Sequence, residues 1–201
     1  MNRIKLHTGQ SHSEDATLVD AFQTGDKSAF DELVRKHKDR IFNLCYWFLG
    51  DYQEANDCAQ DTFIKIYRNL LQFKFQSTFS TWAHRIAVNT CKNRLKSFHY
   101  RFNRKIVRLE NCGGISNPER EIADETRSPA VEYEKKERRL MIQKAIETLP
   151  TEKKTVIVLR DIQGLSYEEI VKITGLSLGT LKSKLARARQ DLRFILSGDK
   201  L

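Results

Sequence analysis

The chain has few of the residues that end helices, and it contains no long apolar segment. Only three prolines and nine glycines occur in 201 residues, so long stretches are free to be helical. No run of about 18 apolar residues exists, which excludes a transmembrane helix. The polar stretch 1–17 also lacks the apolar centre of a secretory signal. These absences predict a helical protein that stays in the cytoplasm.

The four cysteines are scattered along the chain, and no two of them have CxxC spacing. They are Cys45, Cys58, Cys91 and Cys112. This spacing argues against a zinc site and against a disulfide scaffold, and it favours reduced thiols that are mostly packed in the interior. The sequence has no phosphate-binding loop, no metal-ligand spacing and no nucleophile constellation. We therefore predict no metal, no cofactor, no small-molecule substrate and no enzymatic activity.

Acidic residues are missing from the whole segment 62–109. Its 48 residues contain eleven Lys or Arg, whereas a merely solvated surface usually mixes both signs. Together with the formal net charge of +9, this block favours a polyanionic partner. Aromatic residues are interleaved with the basic ones, which is the combination that single-stranded nucleic acid requires. Two of these rings, Phe79 and Trp82, are expected to belong to a helical core instead.

Apolar residues recur at intervals of three and four, which predicts helices over 28–49, over 55–70 and from about 81 to 96. We predict an all-α fold of two small helical domains joined by a flexible acidic linker. Residues 1–17 form a disordered extension, 18–109 the first domain, 110–130 the linker and 131–201 the second domain. Ser128 and Pro129 are suited to cap and open the first helix after the linker.

A helix-turn-helix is predicted near the C-terminus, between residues 165 and 193. Ser166 and Glu169 form the capping box of a short helix, Gly175 allows a tight turn, and Ser177 can cap a second helix. The second helix is basic and has one apolar stripe, as expected of a helix that lies in the DNA major groove. An ordinary helical hairpin is the alternative. From Ile170 to Arg193, six Lys or Arg stand against the single acid Asp191, which disfavours it.

Three blocks of sequence, in the right order, resemble the extracytoplasmic-function (ECF) sigma factors of the sigma-70 family. ANDCAQDTFIKIYRNL (55–70) resembles the helix that binds core RNA polymerase. TFSTWAHRIAVNTCKNRLK (78–96) resembles the segment that melts and reads the −10 promoter element. LPTEKKTVIVLRDIQGLSYEEI with GTLKSKLARARQDLR resembles the domain that reads the −35 element. SNPE, at 116–119, is similar to the sigma-E-like branch.

The resemblance implies an alternative sigma factor that binds core polymerase and directs promoter-specific initiation, with 18–109 as region 2 and 131–201 as region 4. The implied core-binding residues are Asp57, Gln60, Asp61 and Phe63. Those for −10 DNA are Phe73, Lys74, Phe75, Trp82, Arg85, Asn89, Lys92 and Lys96. Those for −35 DNA are Arg160, Ser166, Tyr167, Thr180, Lys182, Ser183 and Arg187.

The partners implied by the resemblance are two macromolecules and a regulator. Core RNA polymerase is bound through the coiled coil of its largest subunit and through its flap. Promoter DNA is bound as a duplex at −35 and as a single strand at −10. The regulator is an anti-sigma factor, which in this family is often membrane-anchored. The loop Lys74-Phe75-Gln76 departs from the Arg-Gly-Asp or Arg-Gly-Glu common in the family, so the resemblance does not give the −10 base preference.

Two other functions are weaker interpretations of the same residues. A conventional transcription regulator would bind duplex DNA through the helix-turn-helix alone, which leaves the acid-free, aromatic-rich block 62–109 unexplained. A nucleic-acid-processing enzyme would need a metal or nucleotide site that the sequence does not indicate.

Overall fold

The computed structural model describes residues 5–97 and 129–197, and all regular structure in these ranges is helical. The first domain contains α1 (Lys5–Gln23), α2 (Ser28–Leu49), α3 (Tyr52–Leu70) and α4 (Phe79–Lys96). The second contains α5 (Pro129–Thr148), α6 (Thr151–Ile157), a π-helical turn (Val158–Ile162), α7 (Tyr167–Thr174) and α8 (Leu178–Ser197). The predicted all-α, two-domain architecture is confirmed. The linker lies outside the described residues except for Pro129 and Ala130, which begin α5.

Helices α2, α3 and α4 form a bundle whose boundaries follow from local chemistry. Gly50 ends α2 in a left-handed conformation with φ of 77°, which a residue with a Cβ adopts only with strain. The Asp51 carboxylate accepts a hydrogen bond from the Glu54 amide at 2.8 Å and so caps α3. Thr78 caps α4 by accepting from the Thr81 amide at 3.1 Å. Side chains such as Leu33 and Ile66 are fully buried between the helices.

The N-terminal segment differs from the predicted disordered extension over residues 1–17. From Lys5 onward it forms α1, and the Asp15 side chain is buried against α2. The Asp15 carboxylate lies 3.0 Å from His37 Nε2 and 2.8 Å from Lys36 Nζ. Burial raises the pKa of Asp15, but hydrogen bonds with His37 and Lys36 outweigh it and lower the pKa overall. This buried ion pair fixes α1 on the bundle, a contact that the polar sequence could not reveal.

The second domain contains the predicted helix-turn-helix. The Ser166 hydroxyl accepts from the Glu169 amide, and the Glu169 carboxylate accepts from the Ser166 amide, which completes the capping box. Gly175 makes the turn with φ of 72°, and Ser177 caps α8 by accepting from the Thr180 amide. Leu181, Leu185 and Ala188 are buried, but Leu178, which belongs to the same stripe in the sequence, is 45% exposed.

The two domains pack against each other. Gln143 Nε2 donates to the Tyr46 carbonyl at 3.2 Å, and Lys154 Nζ donates to the Phe48 carbonyl at 3.3 Å. One cluster of buried apolar side chains continues from the first domain into the second. The second domain therefore covers the C-terminal end of α2.

The cysteines are scattered in sequence but not in space. Cys45, Cys58 and Cys91 are free thiols in the core of the first domain, so the prediction of packed, reduced thiols is confirmed for these three. Their sulfur atoms nevertheless form one group, which the spacing in the sequence did not predict. Cys112 lies outside the described residues.

In the parts of the chain that the structure describes, no helix combines the length and apolar character needed to cross a bilayer.

Candidate nucleic-acid and protein interfaces

Acidic side chains on one face of α3 converge on a single arginine of α4. Arg94 Nε lies 2.5 Å from Glu54 Oε2, and its Nη atoms lie 3.3 Å from Asp57 Oδ2 and 3.6 Å from Asp61 Oδ2. Of the predicted core-binding residues, Gln60 and Asp61 are exposed, whereas Asp57 and Phe63 are half-buried. The pairing with Arg94 fixes the positions of the three carboxylates on this acidic face.

An exposed apolar stripe runs along α3 beside the acidic face. Ile64 is 48% exposed, Tyr67 42% and Leu71 65%, and they follow Gln60 at helical spacing. Large apolar side chains grouped on a surface mark a protein-binding site. None of these three side chains was predicted from the sequence to bind a partner. The sequence does contain a sign of this surface: Ile64 and Leu71 are large apolar residues that fall outside the buried stripe formed by residues 55, 58, 59, 66 and 70.

In the loop between α3 and α4, which is predicted to bind −10 DNA, one aromatic ring is exposed to solvent and another is buried. Phe73 is buried, with its ring centroid 5.0 Å from that of Trp82 and 5.1 Å from that of Phe75. Gln23 of α1 donates to the Phe73 carbonyl at 2.9 Å and anchors the loop. Phe73 therefore supports the loop from inside, whereas its neighbours Lys74 and Phe75 are exposed to solvent.

Phe75 has a left-handed backbone conformation with φ of 55°. Bulky residues rarely adopt this region, whereas glycine does so without strain. In the loop that the sequence resembles, this position is often glycine. The substitution therefore puts a half-exposed ring where the resembled loop has no side chain.

Two depressions adjoin at Trp82. One has a volume of about 360 Å³ and is lined by Phe73, Lys74 and other loop residues but not by Phe75, together with Trp82, Arg85 and Lys172 of the second domain. It combines aromatic walls with cations, which suits a stacked base and its phosphate.

The other depression, of about 460 Å³, lies between α3 and α4. Four amide side chains contribute to its lining, namely Asn69, Gln72, Asn89 and Asn93. Asn and Gln carry both donors and acceptors, as recognition of base edges requires. Only Asn89 was singled out from the sequence. The spacing of four between Asn89 and Asn93 is the signal that could have identified a second member.

The predicted basic face of α4 is divided. Arg85, Asn89 and Lys96 are exposed, but Lys92 is half-buried near the second domain. Burial lowers the pKa of Lys92, Glu152 opposes this effect, and Lys96 and Lys184 add to it. The structure thus groups Lys92 with the second domain rather than with Arg85 and Asn89.

Two cations predicted to bind −35 DNA lie against the ring of Tyr167, a third residue of the same predicted set. The Arg160 guanidinium carbon lies 4.7 Å from the Tyr167 ring centroid, and Lys182 Nζ lies 6.0 Å from it. Arg160, in the π-helical turn, also donates to the Leu165 carbonyl at 2.6 Å. Cation–π contacts of this kind hold the two cations in place. Ser166, the fourth member of this group, is occupied by its capping hydrogen bonds.

Four basic residues of α8 fall into two sets. Lys184 pairs with Glu152, and Arg189 pairs with both carboxylate oxygens of Asp161 at 3.0 and 2.5 Å. Thr180, Lys182, Ser183 and Arg187 lie on the exposed side of the helix. Within the described ranges no acid forms an ion pair with Lys182 or Arg187. The first set fixes α8 to its own domain, and the second is free to contact an anion.

Two segments of the chain match known families. Residues 33–99 match Sigma-70 region 2, and residues 139–192 match Sigma-70, region 4. The RNA polymerase sigma-H factor of Pseudomonas aeruginosa is 37% identical over 180 residues, which is 90% of this chain and 92% of that protein. The ECF RNA polymerase sigma-E factor of Haemophilus influenzae is 34% identical over 178 residues, covering 88% and 92% of the two chains.

A solved structure has the same architecture. CnrH, in complex with the cytosolic domain of CnrY, superposes with a TM-score of 0.67 at 26% identity. The superposition covers 93% of this chain and 99% of that chain. The likeness therefore extends over both helical domains.

Proposed function

The chain belongs to the ECF sigma factors of the sigma-70 family, and we propose that its two domains divide promoter recognition in a specific way. As a sigma factor it directs promoter-specific transcription initiation by RNA polymerase. The observation that carries the residue assignment is the pair of surfaces described above. One is the acid-free outer face of α8, and the other is the amide-lined depression beside α4.

The outer face of α8 reads the −35 duplex. Lys182, Ser183 and Arg187 enter the major groove, with Thr180 beside them. Each bidentate contact to a base edge contributes about 1–3 kcal/mol of discrimination. Arg160 and Tyr167 lie at the edge of this surface, where contacts with phosphates position the helix without reading sequence.

The surface beside α4 holds the melted −10 strand. Extruding a base costs a few kcal/mol, which stacking and hydrogen bonds in a pocket must recover. Trp82 and Phe75 supply the stacking surfaces, and Asn89 with the neighbouring amides supplies donors and acceptors. Arg85, Lys74 and Lys96 neutralise phosphates. Two modest binding surfaces on one chain give avidity that neither has alone, so the spacing between the promoter elements matters.

The exposed side of α3 binds core polymerase. Asp57, Gln60 and Asp61 dock on the coiled coil of the largest subunit, and Ile64 and Leu71 extend the contact with apolar surface. The second domain contacts the flap. The protein has no catalytic chemistry of its own and acts in the cytoplasm, where the polymerase is.

An anti-sigma factor, often membrane-anchored in this family, is the proposed regulator. Support comes from CnrH, a relative of the same architecture, whose structure contains the cytosolic domain of another protein. Such a partner would compete with core polymerase or DNA for the surfaces of both domains.

Transcription reconstituted from the purified chain, core polymerase and a library of promoters tests this function. We expect promoter-specific initiation that depends on both elements and on their spacing. A folded, core-bound protein that fails to stimulate initiation at any promoter would exclude the function.

Replacing Asn89 by alanine tests the assignment of the −10 surface. We expect Asn89→Ala to lower initiation about tenfold or more through loss of base contacts, with unchanged affinity for core polymerase. Loss of core affinity in this variant would show that the face has been misassigned.

A further inference from the structure

The core of the first domain contains a cluster of thiols that the proposed function does not use. Cys45, Cys58 and Cys91 come from α2, α3 and α4, and each is fully buried. The Cys91 sulfur lies 3.6 Å from the sulfur of Cys58 and 3.6 Å from that of Cys45. All three sulfurs lie within 4.8 Å of one another. Among the described residues, no His or carboxylate joins this group.

We propose that these three cysteines form a three-sulfur binding site for a soft trivalent ion of the arsenite type. As(III) bonded to three sulfurs is pyramidal, so bonds of about 2.3 Å at angles of about 95–100° place the sulfurs about 3.4–3.5 Å apart. Two of the separations, at 3.6 Å each, lie within about 0.2 Å of that spacing, and the third pair of sulfurs lies within 4.8 Å, so side-chain rotations complete the site. A disulfide would instead require two sulfurs to approach to about 2.05 Å, and it would leave the third thiol without a role.

The number of ligands distinguishes this site from the common zinc sites. Structural zinc takes four protein ligands, and catalytic zinc takes three with a water in an open position. Here three sulfurs face one another, and their complete burial leaves no solvent-filled position for a fourth ligand. The site therefore suits an ion that is satisfied by three sulfurs, and sulfur ligands select soft ions.

Charge balance favours a trivalent ion. Three thiolates around such an ion give a neutral complex, and a neutral complex avoids the cost of burying net charge. Arsenous acid forms three As–S bonds and loses three hydroxyl groups, and each hydroxyl leaves as water with one thiol proton. No electron is transferred, so no oxidant or reductant is needed.

A bound ion would connect the three helices of the bundle. Cys58 follows Asp57 directly in α3, and Cys91 lies two residues after Asn89 in α4. The ion would thus couple the helix assigned to polymerase to the helix assigned to −10 DNA. This consequence rests on the proposed function, whereas binding itself can be tested without it.

Titration of the reduced full-length chain with arsenite tests the site. We expect one equivalent to bind, with near-ultraviolet absorption from As–S bonds. At a hundredfold excess over Kd, the melting temperature should rise by about 5–10 °C, because the ion binds only the folded chain. Cys91→Ala should weaken binding at least a hundredfold, whereas the matched control Cys112→Ser should bind like the unaltered chain.

X-ray absorption at the arsenic edge gives a measurement that needs no destabilising variant. Three sulfur neighbours in Cys112→Ser, which retains only the three buried thiols, would support the site. Fewer than three, no binding by the folded chain, or undiminished binding by folded Cys91→Ala would overturn it. Titration with Cu(I) and Zn(II) tests the charge argument, and tighter binding of either ion than of arsenite would contradict it.

Discussion

The two proposed DNA-binding surfaces of the chain are both basic, but they are built differently. On α8 the exposed cations lie on a regular helix whose other basic residues are fixed by Glu152 and Asp161. Beside α4 the cations surround two depressions lined by rings and amides. A duplex presents its base edges in a groove that a rigid helix can enter, whereas a single strand must be held base by base. The difference in construction thus matches the difference in ligand.

The largest expected effect separates the two sets of cations on α8. Arg187→Ala should weaken binding of −35 duplex by about 10- to 100-fold, which is about 1–3 kcal/mol, because its contact to a base is lost. The matched variant Arg189→Ala removes an arginine that is paired with Asp161, so it should lower stability slightly and leave sequence preference unchanged. Fluorescence anisotropy with consensus and scrambled duplexes measures both. Equal losses of affinity in the two variants would contradict the proposed difference between the two sets of cations.

On the surface beside α4, substitutions of Phe75 can separate the backbone strain at this residue from the stacking of its ring on a base. Phe75→Gly should raise the free energy of unfolding by about 1 kcal/mol, because glycine relieves the left-handed conformation. The same change should weaken binding of a −10 single strand by about 1–2 kcal/mol, because a stacking ring is lost. Phe75→Leu retains the strain and should show only the loss of binding. Tighter binding in Phe75→Gly would mean that the ring blocks the pocket.

The folded chain should lose stability in mild acid because of one buried histidine. His84 is buried on α4 with its Nδ1 2.7 Å from the Ser80 carbonyl, near His37 and Arg40 of α2 and Gln163 of the second domain. Burial lowers the pKa of His84, so the folded chain holds fewer protons on this group than the unfolded chain. Stability is therefore complete above the ordinary pKa of about 6.5 and falls, as pH decreases, by up to about 1.4 kcal/mol per pH unit.

Urea unfolding between pH 5 and pH 8 measures this dependence. His84→Gln cannot be protonated, so the difference between its curve and that of the unaltered chain isolates the histidine from the carboxylates. Parallel curves would contradict the prediction.

The smallest effect concerns the arginine that serves the acidic face of α3. Arg94→Gln should lower the free energy of unfolding by about 0.5–1 kcal/mol, because the pairs with Glu54, Asp57 and Asp61 are partly exposed. Screening should shrink the difference at about 1 M salt, where the Debye length is about 3 Å. Affinity for core polymerase should change more than stability, since three carboxylates lose their fixed positions. A loss of stability independent of salt would point to packing instead.

Local chemistry accounts for the parts of the fold that the sequence predicted. The stripe of apolar residues and Gly50 fix α2, and the capping box at Ser166 with Gly175 fixes the helix-turn-helix. The burial of Asp15, the grouping of the cysteines and the sorting of cations on α8 depend instead on residues 22 to 46 positions apart. Such contacts leave no periodic signal. The same limit applies to Asn69 and Gln72, which join Asn89 from α3 and the loop after it, whereas Asn93 lies four residues from Asn89 on the same helix and could have been identified.

The buried apolar cluster that runs through both domains has a consequence for how the chain melts. Domains that share a core unfold as one cooperative unit, whereas domains held apart unfold separately. A promoter long enough to engage α4 and α8 at distant sites would break the shared core. Calorimetry would then record two transitions in place of one. The number of melting transitions therefore distinguishes a chain whose two domains are packed together from one whose domains are separated on DNA.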